Sequence, residues 1–258
     1  MAEHESAVRI ATDGAAMRVR MARPEAGNTL TEDLVAGIHG ALDAAEADTS
    51  LRVVVLEGEN GVFCTGMDFE HLLAGGGEGG EDRQGAGQFA ELLRRFAATR
   101  RIVVSAVDGK VVAGGLGLVA ASDLVYVTER ATFSLSEALW GLLPSVVAPY
   151  LIRRVGFQLA YDMTLTARTV TAEEAARARL ADGLVGDLDT HLQVQVRRLA
   201  RLDPATVLDL KSYYRKLWMI SELTERASLE ELQRLLGTAR VRRNVEAYAR
   251  YGRLPWES

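Results

Sequence analysis

Only one cysteine, Cys64, occurs in the 258-residue chain, so no intramolecular disulfide can form and a reducing compartment is expected. No apolar run approaches the ~20 residues needed to cross a bilayer. The opening residues MAEHESAV have neither a basic start nor an apolar stretch, so no secretory leader is expected. These absences predict a soluble cytoplasmic protein with no membrane contact. Lysine and arginine number 30 against 35 acids, for a net charge of −5, which argues against broad nucleic-acid or anionic-lipid binding. The histidines, His4, His39, His71 and His191, fall in no H-E-x-x-H or C-x-x-C setting, so no metal site is expected. A G-x-S-x-G nucleophile elbow is missing, as is the Gly-Lys-Ser/Thr ending of a phosphate-binding loop. Cys64 lies in an apolar run, which favours structural burial over nucleophilic work.

What is present reads as one α/β domain with a helical end. Hydrophobic residues make up 48% and charged residues 25%, as in soluble globular chains. Residues 6–11 and 16–21 read as short strands joined at Asp13-Gly14. Thr31 is placed to cap a helix whose stripe is Leu34, Ile38, Leu42 and Ala45. RVVVLE (52–57), IVVSAV (102–107) and DLVYVT (123–128) read as buried strands, and Phe89, Leu92, Leu93 and Phe96 as a helix stripe. Residues 74–87, AGGGEGGEDRQGAG, read by composition as a mobile surface loop, with a substrate-ordered flap as the alternative. Pro144 is expected to open a helix. Thr171 with Glu174, and Ser228 with Glu231, match capping boxes, and Asp203-Pro204 a helix start. The expected division is a core over 1–202 and a helical region over 203–258.

Two stretches carry the chemistry. VFCTGMDFE (62–70) and AVDGKVVAGGLGLVAASD (106–123) each begin as an apolar run and break at glycine. A glycine ahead of a helix lets a ligand approach the backbone and leaves first-turn N–H groups free. Two such turns face to face would supply two convergent donors, the form of an oxyanion hole. The N–H groups of Met67 and Gly114 are the expected pair. Gly115, Gly117 and Ala120 also match G-x-G-x-x-A, but the next strand follows at once with no full crossover helix, which disfavours a dinucleotide site. Glu137 stands among Ala138, Leu139 and Trp140. Apolar neighbours would raise its pKa and let it serve as base and acid near neutrality; an exposed helix-start residue is the plain alternative.

The same stretches resemble the crotonase (enoyl-CoA hydratase/isomerase) superfamily. VFCTGMDF is similar to its F-x-A-G-x-D-L, residues 106–137 to its A-V-N-G-x-A-x-G-G-G segment and following acid, LTARTVTAEEAARARLADGLV to its L-T-G stretch, and RPEAGNTL to its early R-P-x-x-x-N-A-L. The resemblance implies a spiral of repeated ββα units with a helical C-terminal extension. It also implies trimers or dimers of trimers built through 203–258, and acyl-thioester substrates carried on CoA or on the phosphopantetheine of an acyl carrier protein, with no further cofactor. It assigns the thioester oxygen to the amides of Met67 and Gly114 and proton transfer to Glu137. Gly66, Asp68, His71, Gly115 and Trp140 then fall at the substrate. Of the two catalytic glutamates common in hydratases, the first position holds Gly117 here, which leaves one-carboxylate chemistry. Glu70 stands where many CoA-dependent members have lysine, which points to a carrier protein rather than polyanionic CoA. The run C-T-G-M-D-F is similar to the polyketide-cluster branch that dehydrates 3-hydroxy-3-methylglutaryl groups, whose distal carboxylate would meet Lys110, Arg83 or His71. Decarboxylation of the methylglutaconyl product, double-bond isomerisation, and a non-catalytic assembly or RNA-binding role stand as alternatives.

Overall fold

A computed structural model describes residues 6–67, 81–218 and 220–257, with residues 81–84 described by backbone alone. In chain order, β1 (Val8–Asp13) and β2 (Ala16–Met21) form a hairpin, followed by α1 (Glu32–Ala47). Three ββα units follow. They are β3 (Val53–Glu57), β4 (Val62–Cys64) and α2 (Glu81–Phe96); β5 (Ile102–Val107), β6 (Lys110–Val112) and α3 (Gly114–Ala121); and β7 (Leu124–Val127), β8 (Thr132–Ser134) and α4 (Glu137–Trp140). The chain continues through α5 (Ala148–Thr166), β9 (Val170–Thr171), α6 (Ala172–Arg177), β10 (Gly183–Leu184) and α7 (Leu188–Leu199). It ends in α8 (Pro204–Leu217), α9 (Glu222–Leu236) and α10 (Ala239–Tyr251).

In each unit the first strand joins one sheet and the second joins another. The larger sheet has the order β1-β2-β3-β5-β7-β10 and the smaller β4-β6-β8-β9. From β2 to β10 the larger sheet is parallel, with Val53 opposite Ile102 and Val104 opposite Leu124. Its central strands are covered on both faces, which is why VVVLE and IVVSAV are buried at every position. Each unit therefore carries the chain from one sheet to the other, and the first two leave a glycine turn where the short second strand ends, at Gly66 and at Gly114.

The α1 stripe Leu34, Ile38, Leu42 and Ala45 is buried as the periodicity requires, and Thr31 caps Leu34 N–H at 3.2 Å. Several expectations need correction. The hairpin turns at Gly14-Ala15, with Gly14 at φ 57°, because Asp13 already pairs with Ala16. Residues 81–87 are helical rather than loop: Phe89, Leu92, Leu93 and Phe96 anchor α2, and the glycines ahead of them continue its backbone. The helix expected from Pro144 begins at Ala148; Pro149 sits in its first turn, where a missing N–H costs nothing, and Gly156 breaks it at φ 77°. Ser228 lies inside α9, whose cap is Ser221. Thr171 and Glu174 do form a full capping box, and Asp203 caps α8. Among the described residues no helix is long and apolar enough to cross a membrane.

Candidate active site

The turn after β4 and the start of α3 meet because three glycines let them. Gly66 has φ 87°, and a Cβ there would lie 2.8 Å from Ala113 Cβ and 3.1 Å from the Gly114 nitrogen. A Cβ on Gly115 would lie 2.3 Å from the Cys64 carbonyl oxygen, and one on Gly114 2.5 Å from Leu30 Cδ1. A side chain at Gly66 or Gly115 would force the two segments apart, and one at Gly114 would displace the Leu30 side chain.

Two hydrogen bonds then orient the peptides. Leu30 N–H donates to the Gly66 carbonyl at 2.8 Å, so in that trans peptide the Met67 N–H points to the other side. Leu116 N–H donates to the Ala113 carbonyl at 2.8 Å, which leaves Gly114 N–H directed off the open end of α3. Ala113 makes this bend at φ 51°, ψ −123°, a conformation costly for a residue with a side chain, and its N–H is tied to Ser134 O at 3.0 Å.

Met67, Gly114 and Glu137 line one cavity of about 160 Å³. Leu30, Val35, Phe89, Leu142 and Val146 make much of its wall, with Thr31, Glu32, Thr65, Gln88, Ser136 and Ser145 among its other polar side chains. Glu137 opens the single turn α4. The backbone N–H groups of Glu137 and Ser136 engage its carboxylate, while Oε2 is buried with no hydrogen-bond partner among the described residues. Burial outweighs those two amides and raises its pKa to about 7. A carboxyl with that pKa exchanges a proton readily in both directions near neutrality.

The other assigned residues fall into three groups. Trp140 lines the cavity, and Gly66, which precedes Met67, packs against Ala113 and Gly114. Gly115 is a correction: it is buried against the Cys64 carbonyl rather than in the wall, so its role is to let the turns close. Lys110 is also a correction, since it is exposed on β6 and does not line the cavity. Asp68, Glu70 and His71 lie outside the described residues, as does the side chain of Arg83.

Gly117 explains the missing carboxylate sterically. A Cβ there would lie 3.0 Å from Phe89 Cζ, 3.0 Å from Val147 Cγ2 and 3.2 Å from Leu93 Cδ1. The space a glutamate would need is filled by apolar side chains. Cys64 is fully buried and its thiol is pushed up to about 12, which removes it as a nucleophile. Among the described residues no group of three His, Cys, Asp or Glu is placed to hold a metal ion.

Reading the sequence missed the C-terminal contribution. Leu232 and Leu236 of α9 line the cavity, and Asn244 of α10 donates to the Trp140 carbonyl at 3.0 Å. Neither carries a motif; the only signal was an amphipathic helix whose partner could not be known.

Comparison with known proteins adds four findings. The model of the family described as enoyl-CoA hydratase/isomerase matches residues 12–258. Bacillaene synthase dehydratase PksH from Bacillus subtilis is 33% identical over 235 residues, covering 91% of this chain and 90% of that protein. Enoyl-CoA hydratase EchA19 from Mycobacterium tuberculosis is 32% identical over 177 residues, 67% of this chain and 66% of its own. Among solved structures, PksH from Bacillus subtilis, described as a polyketide biosynthesis enoyl-CoA hydratase, superposes with a TM-score of 0.87 at 30% identity, covering 96% of this chain and 98% of that one.

Proposed function

The chain belongs to the enoyl-CoA hydratase/isomerase (crotonase) family, as a hydratase/dehydratase-type lyase, and from that premise we propose that it dehydrates a β-hydroxyacyl thioester in polyketide biosynthesis. The substrate in this reading is 3-hydroxy-3-methylglutaryl on an acyl carrier protein. The observation that carries it is Glu137: one carboxyl, with a pKa near 7 and one unpartnered oxygen, in the same cavity as the amides of Met67 and Gly114.

The steps follow from that arrangement. The thioester oxygen accepts from the two amides. Glu137 takes the C2 proton, and the C–H electrons move into an enolate whose charge rests on that oxygen. The enolate re-forms the carbonyl, C2 and C3 become doubly bonded, and the C3 hydroxyl leaves with the proton that Glu137 returns, as water. A single carboxyl serving both sides requires syn elimination. Gly117 supplies no acid at the position where two-glutamate hydratases carry their first carboxylate, which favours elimination by Glu137 over two-glutamate hydration. The two amides act on charge that appears only in the transition state, and each is worth about 3–4 kcal/mol.

The likeness to a protein named as a polyketide dehydratase supports the carrier-bound class of substrate. Among the described residues no cation lines the cavity, so His71 or Arg83 would have to meet a distal carboxylate. We also propose a homotrimer or dimer of trimers. Phe157, Tyr161 and Leu165 form an exposed apolar stripe on α5, and Leu210, Tyr214 and Leu217 another patch on α8.

The test is mass spectrometry of 3-hydroxy-3-methylglutaryl carrier protein after incubation with enzyme. Loss of one water is expected. Loss of carbon dioxide would assign decarboxylation, and unchanged mass would reject dehydration of this substrate. Undiminished water loss with Glu137→Gln would reject the role of Glu137.

A further inference from the structure

The turn that carries Glu137 is too short to hold itself. An isolated helical turn fixes several backbone dihedrals for one hydrogen bond and is unstable alone. Here α4 has four residues, its N-cap Ser136 makes no side-chain cap, and its chain reverses at Gly141 with φ 85°. At its C-terminal end the backbone supplies Gly141 N–H, shared between Ala138 O at 3.1 Å and Glu137 O, and Leu142 N–H, which donates to Glu137 O at 3.0 Å; none of these reaches the Trp140 or Gly141 carbonyl. The remaining carbonyls there need donors from elsewhere.

Those donors come from the far end of the sequence. Asn244 Nδ2 donates to Trp140 O at 3.0 Å, and Arg240 Nη2 donates to Gly141 O at 3.1 Å. The guanidinium lies against Gly141 so closely that a Cβ there would be 2.8 Å from Arg240 Nε. The Trp140 ring, buried in the wall, packs edge-on against Tyr248 at 5.1 Å and Trp256 at 6.5 Å between centroids. All four partners belong to α10 and the segment after it. None lines the cavity.

We infer that Asn244 and Arg240 are positioning residues for the reaction: α10 clamps the C-terminal end of the catalytic turn and thereby fixes where the Glu137 carboxyl stands relative to the Met67 and Gly114 amides. This rests on Glu137 being the proton carrier. It adds that the C-terminal helix of the same chain completes the active site. Both side chains are at least partly exposed and make their contacts through single bonds, so their removal loosens the turn without opening the core.

The experiment compares Asn244→Ala, Arg240→Ala and Arg240→Lys with the wild type and with Glu137→Gln on the hydroxyacyl carrier protein. A displacement of about 1 Å at a reacting group can cost on the order of 100-fold. Asn244→Ala and Arg240→Ala should therefore lower kcat roughly 10- to 100-fold with KM within about threefold. Arg240→Lys, which keeps a donor for Gly141 O, should recover most of the loss. The acid limb of the pH profile should move to lower pH in the alanine variants, because a loosened carboxyl is better hydrated. Unchanged kcat in both, or a loss fully accounted for by unfolded protein in circular dichroism, would overturn the clamp while an inactive Glu137→Gln leaves the proposed reaction standing. An active Glu137→Gln would overturn the reaction and the clamp together.

Discussion

Replacing Gly66 with alanine tests the contact on which the paired amides depend. Gly66 has φ 87°, and its added methyl would meet Ala113 Cβ at 2.8 Å and the Gly114 nitrogen at 3.1 Å. Forcing a side chain into the left-handed region costs about 1–2 kcal/mol. Overpacking a tight contact adds about 1–3 kcal/mol. The expected destabilisation is about 2–5 kcal/mol, or a fall in Tm of roughly 5–15 °C for a chain of this size. Relief of the clash must move Ala113 and Gly114 away from Met67, so one amide loses its aim. The barrier should rise by about 3–4 kcal/mol, lowering kcat by 10²–10³-fold. Gly14→Ala is the control: its φ is 57° but no atom lies within 4 Å of the new methyl, so it bears the conformational cost alone and should leave kcat unchanged. The assay is dehydration of a hydroxyacyl carrier protein, measured well below each variant's melting temperature. A folded Gly66→Ala enzyme with kcat within about twofold of the wild type would refute the claim that this contact builds the donor pair.

Glu137→Gln should gain stability as it loses activity. In the unfolded chain the carboxyl titrates near its ordinary value of about 4.3, whereas folded it titrates near 7, so the native state binds the proton more tightly. Stability therefore falls as pH rises between those values, by up to about 4 kcal/mol, and glutamine removes that loss. Urea midpoints should favour the variant at about pH 8 and converge near pH 4; a variant less stable at the higher pH would contradict the burial of the charge. For the same reason kcat/KM of the wild type should drop as pH falls below about 7. Gly117→Glu should not create a hydratase: the new side chain meets Phe89, Val147 and Leu93 within 3.2 Å, so a lower Tm with no new activity is expected in melting and hydration assays. Ala113→Gly should relieve the φ 51° bend and stabilise by about 1 kcal/mol in a denaturant titration.

Much of the fold was legible because periodicity and capping are local. The buried runs at 53–57 and 102–107, the α1 stripe and the Thr171–Glu174 capping box each depend on a few neighbouring residues. The glycine turns were legible for a similar reason, since a cluster at 114–117 has few uses besides close approach. Two kinds of error mark the limit. Composition alone made residues 81–87 look like loop, yet the apolar anchors after them carry the helix back across glycine. Gly115 was taken for a ligand contact, whereas the Cys64 carbonyl occupies that space. Asn244 and Arg240 were invisible because their partners lie 104 and 99 residues away, and one-dimensional patterns do not record such pairings.

The most direct measurement follows the C2 proton itself. A saturated acyl carrier thioester with no C3 hydroxyl cannot dehydrate, but an enzyme that forms the enolate will exchange its C2 hydrogen with deuterium from the solvent. The account predicts steady exchange by the wild type, detected by mass, and none above background by Glu137→Gln. Exchange by that variant at the wild-type rate would mean that some other group moves the proton, and the account would be wrong.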